Sequence, residues 1–262
     1  MTQRIVIAGG GTGGHLYPGI ALARELMQNN RDIEITFVGT RQGIESRILP
    51  REGFNLKIIP AEGLVGKRGL ERWSSWFKLP AGLAQSLCFL LNKRPNLVVG
   101  VGGYASGPVV LSAGMLKIPI LIHEQNAIPG ITNKLLGRIA NKIAVSFKQS
   151  KLFFPQHKVV ETGNMIREEF CELNPEKHKD PNGKFNILVF GGSQGAHSIN
   201  MAVKDALDIL EADKNRLFFI HQTGKQDVES IKKYYAAKGF SADVRPFFHD
   251  MAEQYRKASL II

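Results

Sequence analysis

Apolar residues along this chain fall in short runs, each ended by glycines and followed by a longer amphipathic stretch. The first run, Arg4-Ile5-Val6-Ile7-Ala8, is rich in β-branched residues and passes directly into glycine, which predicts a buried strand. A helix is predicted over 17–28, where Ile20, Leu22, Ala23 and Leu26 return at helical spacing. Further strands are predicted at 33–38, 56–59, 97–99, 118–122, 143–146 and 158–161. Strands alternating with helices require a parallel sheet covered on both faces, the doubly wound α/β class.

A second series starts after a polar stretch at 174–184, punctuated by Pro175, Pro181 and Gly183. It predicts strands at 186–190, 217–220, 244–247 and 260–262, with helices over 196–210 and 227–237. The expected organisation is therefore two Rossmann-like domains, 1–163 and 164–262. The last apolar run ends at Ile262 with no helix after it, so the second domain is expected to be incomplete.

Three glycine clusters each follow a predicted strand: Gly9-Gly10-Gly11-Thr12-Gly13-Gly14-His15, Gly100-Val101-Gly102-Gly103-Tyr104-Ala105-Ser106-Gly107 and Gly191-Gly192-Ser193-Gln194-Gly195-Ala196. Glycine lets the backbone approach a ligand closely, and a helix N-terminus offers free N–H groups to phosphate. Gly9, Gly11 and Gly14 fit the G-x-G-x-x-G dinucleotide fingerprint. That fingerprint also wants an acidic residue at the end of the second strand, where this chain has Val38-Gly39-Thr40-Arg41. Arg41 there would suit a 2′-phosphate, which keeps an NADP-dependent oxidoreductase as the rival. Three loops shared between two half-chains favour two sheets facing each other across a nucleotide-binding cleft.

Composition narrows the partners. The 262 residues carry a formal net charge of +11, which attracts phosphates of any origin. The basic residues are scattered and no zinc-finger or RNA-binding motif accompanies them, so nucleic acid is not expected. Cys88 and Cys171 form no disulfide framework, and the N-terminus lacks a signal-peptide layout; both fit the cytoplasm. The stretch 63–94 joins Leu70, Trp73, Trp76, Phe77 and Leu79 to Lys67, Arg68, Arg72, Lys78, Lys93 and Arg94. Indole rings and cations beside an apolar face suit an interfacial anchor on anionic lipid. Trp73, Trp76 and Phe77 are expected to face lipid, and Leu83, Leu87 and Leu90 the core.

Gly10-Gly11-Thr12-Gly13-Gly14-His15, Gly102-Gly103-Tyr104-Ala105-Ser106-Gly107-Pro108, His123-Glu124-Gln125-Asn126, Gly163-Asn164 with Arg167, and Gly191-Gly192-Ser193-Gln194-Gly195-Ala196 occur in this order. Together they resemble the MurG family, the bacterial N-acetylglucosaminyltransferases of peptidoglycan synthesis. The resemblance runs the length of the chain. It implies the GT-B fold and transfer of N-acetylglucosamine from UDP-GlcNAc to undecaprenyl-linked muramoyl-pentapeptide at the cytoplasmic face of the inner membrane, by a peripheral protein. It further implies a UDP-GlcNAc site of Thr12, Gly13, Gly14, Asn126, Arg167 and Ser193, with Phe248 where the family contacts uracil through the backbone. Tyr104 and Ser106 fall to the acceptor. Two departures stand out. The family continues past Ile262 into segments that hold the donor's ribose and sugar, and it commonly has proline where this chain has Met165.

The catalytic candidates are His15 as the general base, with helix capping or orientation of a phosphate as the alternative, and Glu124 as the group orienting it or the acceptor, with a buried structural role as the alternative. Arg167 suits the charge on departing UDP; a solvated ion pair with Glu168 or Glu169 is the plainer role. The remaining histidines lack metal-ligand spacing and no Asp-x-Asp occurs, so metal-independent chemistry without a cofactor is expected. A non-catalytic, membrane-associated binding module is the third possibility.

Overall fold

The computed structural model describes residues 2–61, 70–171 and 183–262; for 70–79 and 171 it describes the backbone alone. The chain forms two compact units, Met1–Arg167 and Glu168–Ile262. Most of the expected polar stretch 174–184 lies outside the described residues.

The first unit runs β1 (Gln3–Gly9), α1 (Gly13–Asn29), β2 (Ile33–Gly39), α2 (Glu45–Arg51), β3 (Asn55–Ile58), α3 (Leu70–Lys93), β4 (Leu97–Gly102), α4 (Ser106–Met115), β5 (Ile120–Glu124), α5 (Ile131–Leu136), β6 (Lys142–Val145) and β7 (Val159–Glu161). Its seven strands are all parallel, in the order β3-β2-β1-β4-β5-β6-β7. The order reverses between β1 and β4, the switch point where open α/β sheets bind ligands. Strand residues alternate between two cores. Val6, Ala8, Val98, Ile120, Ile122 and Ile143 pack on Leu90 of α3 and Val109, Val110 and Ala113 of α4. Ile5, Ile7, Ile35, Phe37, Val99 and Val101 pack on Leu16, Ile20 and Ala23 of α1 and Leu49 of α2. Burial on both faces is why these strands read as continuous apolar runs.

The second unit runs α6 (Glu168–Cys171), β8 (Phe185–Phe190), α7 (His197–Ile209), β9 (Leu217–Gln222), α8 (Val228–Lys238), β10 (Ser241–Arg245), α9 (Met251–Lys257) and β11 (Leu260–Ile261). Its four strands are parallel in the order β10-β9-β8-β11, so β8 stands to this sheet as β1 stands to the first. Ile187, Val189 and Phe219 pack on Val203 and Leu207 of α7 and Ile231 and Tyr235 of α8. Leu188, Ile220 and Phe248 form the opposite core.

The structure moves three of the expected elements. Helix α1 starts at Gly13, four residues before the first predicted residue, with Thr12 extended at the N-cap position (φ −129°, ψ 163°). Strand β10 covers Ser241–Arg245 instead of 244–247. It is an edge strand with Ala242 and Val244 facing the core, so it reads as an alternation, while Phe248 beyond it fills the other core. In α3 the fully buried face is Gly82, Ser86 and Leu90; Leu83 and Leu87 are only half-buried. The side chains of Trp73, Trp76 and Phe77 lie outside the described residues. No helix among the described residues is long and apolar enough to cross a membrane.

Candidate functional site

The first two glycine loops meet at the switch point backbone to backbone. Gly10 N–H donates to the Gly102 carbonyl at 3.2 Å. A Cβ on Gly9 would stand 2.4 Å from the Gly102 oxygen, and one on Gly103 would stand 2.2 Å from the Gly10 oxygen. No side chain fits at either place, so glycine there is a packing requirement. Around Gly11, by contrast, a Cβ would meet nothing within 4 Å.

Glu45, the first residue of α2, is fully buried and ties this loop to the end of β2. Its Oε2 accepts the Gly11 N–H at 2.7 Å, and its Oε1 accepts the Thr40 N–H at 2.8 Å and the Thr40 hydroxyl at 2.9 Å. Gly10, Gly39 and Gly43 make room for the Glu45 side chain, whose nearest atom would lie 2.0–2.5 Å from a Cβ on any of them. The acidic residue missing at 38–41 is thus supplied from position 45, turned inward. A carboxylate that already holds a loop N–H repels an arriving pyrophosphate, which removes the basis of the NADP alternative at this loop. Arg41 lines a separate pocket of about 370 Å³ with Thr40, Gln42 and Ile58–Ala61.

His15 sits on the first turn of α1, half-buried, with its ring against Gly102: a Cβ there would approach Nδ1 to 2.8 Å. Its Nδ1 lies 3.1 Å from Oε1 of Gln125. Gln125 Nε2 in turn donates to the Val101 carbonyl at 2.9 Å and faces His123 Nδ1 at 3.0 Å. His123 is buried, which holds its imidazole below the usual range, opposed by the Gly163 carbonyl and the Glu124 charge.

Glu124, expected to orient His15, does not reach it. Its Oε1 accepts the Asn126 N–H and side-chain amide, both at 2.9 Å, and its Oε2 accepts Gly130 N–H at 3.3 Å and Asn133 Nδ2 at 3.0 Å. These four donors make it the organiser of the turn after β5, and Gln125 takes the place beside His15. Asn126 is exposed at this turn. Tyr104 is also exposed, beside Gly103, whereas Ser106 points inward: its hydroxyl is fully buried under Gly100, where a Cβ would meet it at 2.8 Å. Ser106 therefore offers no hydroxyl to an acceptor. Arg167 lies with its guanidinium carbon 4.5 Å from the Tyr17 ring centroid, a cation–π pair on the helix that begins at the first loop.

In the second unit, Ser193 lies half-buried in the loop between β8 and α7. Gln222, at the end of β9, holds this loop by donating Nε2 to the Gly192 carbonyl at 2.8 Å. Its Oε1 accepts the Phe248 N–H at 2.8 Å, so that backbone donor is engaged within the protein, and the Phe248 ring is core. Gly195 packs on Thr223, where a Cβ would stand 2.1 Å from the carbonyl oxygen. Beneath lies a buried polar network. His221 contacts the Tyr235 hydroxyl and Asn200 Oδ1, each at 3.1 Å, and Asn200 Nδ2 donates to Asp227 at 2.7 Å. Burial pushes the His221 imidazole down to about 4.

Glu45, Gln125, Gln222 and His221 were not anticipated. The last three share one signal: a polar residue at or just past the end of an apolar strand. Glu45 had none, since it lies six residues past the strand it serves.

The sequence profile of the glycosyltransferase family 28 N-terminal domain matches residues 5–145, and that of its C-terminal domain matches 186–262. A protein of Myxococcus xanthus, named UDP-N-acetylglucosamine–N-acetylmuramyl-(pentapeptide) pyrophosphoryl-undecaprenol N-acetylglucosamine transferase, is 48% identical over 260 residues, covering 99% of this chain and 68% of its own length. A Geotalea uraniireducens protein of the same name is 49% identical, covering 99% and 72%. Among solved structures, MurG of Acinetobacter baumannii aligns with a TM-score of 0.68 at 32% identity, over 99% of this chain and 70% of its own. A Neisseria meningitidis UDP-GlcNAc 2-epimerase aligns at 0.64 with 12% identity, covering 99% and 76%, a likeness of fold alone.

Proposed function

The chain belongs to glycosyltransferase family 28, and on that premise we propose that it transfers N-acetylglucosamine from UDP-GlcNAc to undecaprenyl-diphospho-N-acetylmuramoyl-pentapeptide. The product is the disaccharide lipid precursor of peptidoglycan. The observation that carries this is the likeness to named transferases of that reaction across 99% of the chain, both glycine-loop units included.

The reaction is one in-line displacement. The 4-hydroxyl of the muramoyl sugar attacks the anomeric carbon, the bond to the UDP oxygen breaks, and configuration inverts. His15 receives the hydroxyl proton through Nε2, since Nδ1 faces Gln125. The N–H groups at the start of α7, with Ser193, hold the donor diphosphate, and Arg167 offsets the charge that grows as UDP leaves. Thr12, Gly13, Gly14 and Asn126 border the sugar, and Tyr104 the acceptor diphosphate. In this reading protein dipoles and Arg167, without a metal, stabilise the leaving group. The protein works at the cytoplasmic face of the cell membrane as a peripheral enzyme, with Trp73, Trp76 and Phe77 and the neighbouring cations of 63–94 meeting anionic lipid.

Acceptor-dependent release of UDP, followed with a soluble acceptor analogue, tests the reaction. We expect turnover with UDP-GlcNAc and a β-linked product; an α-linked product excludes the single displacement. His15→Ala is expected to lower kcat by about 10²–10⁴-fold, the ordinary worth of a general base. Calorimetry with UDP and NADP separates the rival: UDP binds and NADP does not.

A further inference from the structure

One backbone carbonyl settles where the protons of the His15 ring reside. The Val101 carbonyl can only accept, so the Gln125 atom 2.9 Å from it is the amide nitrogen. The other amide atom, 3.1 Å from His15 Nδ1, is then the oxygen. An oxygen acceptor there requires a proton on Nδ1, which leaves Nε2 with its lone pair. No described residue hydrogen-bonds that Nε2. The same logic extends inward. The second amide proton of Gln125 points to His123 Nδ1 at 3.0 Å, so His123 carries its proton on Nε2, facing the Ser146 hydroxyl at 3.4 Å and the Gly163 carbonyl. The Val101 carbonyl cannot reverse, so the links that Gln125 makes to His15 and His123 each have one polarity.

We propose that Gln125 is a positioning residue which locks His15 in the Nδ1–H tautomer, so that Nε2 always presents a lone pair to the acceptor hydroxyl. The catalytic use of the lock rests on His15 being the base, as proposed above. A histidine side chain in water prefers the opposite tautomer, and the bond made by one ring nitrogen decides the state of the other. Without Gln125, much of the population would present a proton where a base is needed.

The test is a long-range proton–nitrogen NMR correlation on the unliganded, ¹⁵N-labelled protein at about pH 8, above the ordinary imidazole range. The His15 signals are assigned by their loss in His15→Gln. We expect a protonated-type shift at Nδ1 and an unprotonated-type shift at Nε2. The reverse pattern in the wild-type protein overturns the proposal with no variant needed. Gln125→Met keeps the length of the side chain and removes its polar atoms. It should move His15 toward the Nε2–H pattern and lower kcat at least about tenfold, with KM for UDP-GlcNAc within about twofold, short of the full worth of the base. An unchanged spectrum in Gln125→Met, or a loss confined to KM, also overturns it. The base assignment is judged separately by turnover of His15→Gln: near-wild-type turnover removes that assignment, while the spectrum judges Gln125 alone.

Discussion

Glu45 shows how much a single buried side chain can arrange. Its carboxylate serves three donors on two segments, the Gly11 N–H and the Thr40 N–H and hydroxyl, inside a cage of glycines. Glu45→Ala strands those donors, and we expect a loss of about 3 kcal/mol, measured by urea unfolding. Gly43→Ala should destabilise as well, because the added carbon meets the same carboxylate at 2.0 Å. At this scale the sequence is legible where a residue acts through its neighbours in the chain. His15 follows its glycine loop directly, and its place at the sheet edge follows from that. Glu45 and Gln125 act across the fold on loops 34 and 110 residues away, and no local pattern announces that.

Among the elements, the buried strands and the helices α7 and α8 were legible, and the start of α1 was not. Fully buried parallel strands declare themselves as apolar runs, whereas the first turn of α1 is made of Gly13 and Gly14, residues that read as loop. The stretch 63–94 shows an apolar face in sequence, but the close approach of α3 to Pro60, just past β3, is made by a glycine. A Cβ on Gly82 would stand 2.4 Å from the Pro60 oxygen, so Gly82→Ala should push α3 off the sheet and cost about 1–3 kcal/mol in unfolding experiments. In the second unit, α7, β9 and α8 are joined by the Asn200–His221–Tyr235 network. The folded His221 imidazole titrates near 4 against an unfolded value near 6.5, so the unfolded chain takes up the proton first as pH falls. The His221 contribution is complete above about 6.5, shrinks through the window down to about 4, and is constant below it. Hydrogen exchange of β8 and β9 amides should therefore show wild-type stability falling by about 2 kcal/mol more than that of His221→Gln between pH 7.5 and 5. Equal slopes would show that the ring does not titrate as placed.

Across the whole molecule, the two units repeat one plan, a central strand feeding a glycine loop with a later strand crossing to its far side. That repetition was visible in the sequence as two series of apolar runs, each opened by a glycine cluster. The charge of +11 acts at this scale too. Binding to anionic vesicles should weaken when salt rises from about 0.1 to 0.5 M, as screening shortens the reach of the cations, and Trp76→Ser with Phe77→Ser should weaken it further at either salt. Affinity that ignores both changes would argue against a lipid-facing role for 63–94.

The interlock of Gly9 and Gly10 with Gly102 and Gly103 has a mechanical consequence. Where these four glycines meet, main chain touches main chain with no cushion between, so displacement of either turn is transmitted to the other. A reporter attached near the exposed Tyr104 ring should therefore register whatever settles beside Thr12, even when the two never touch.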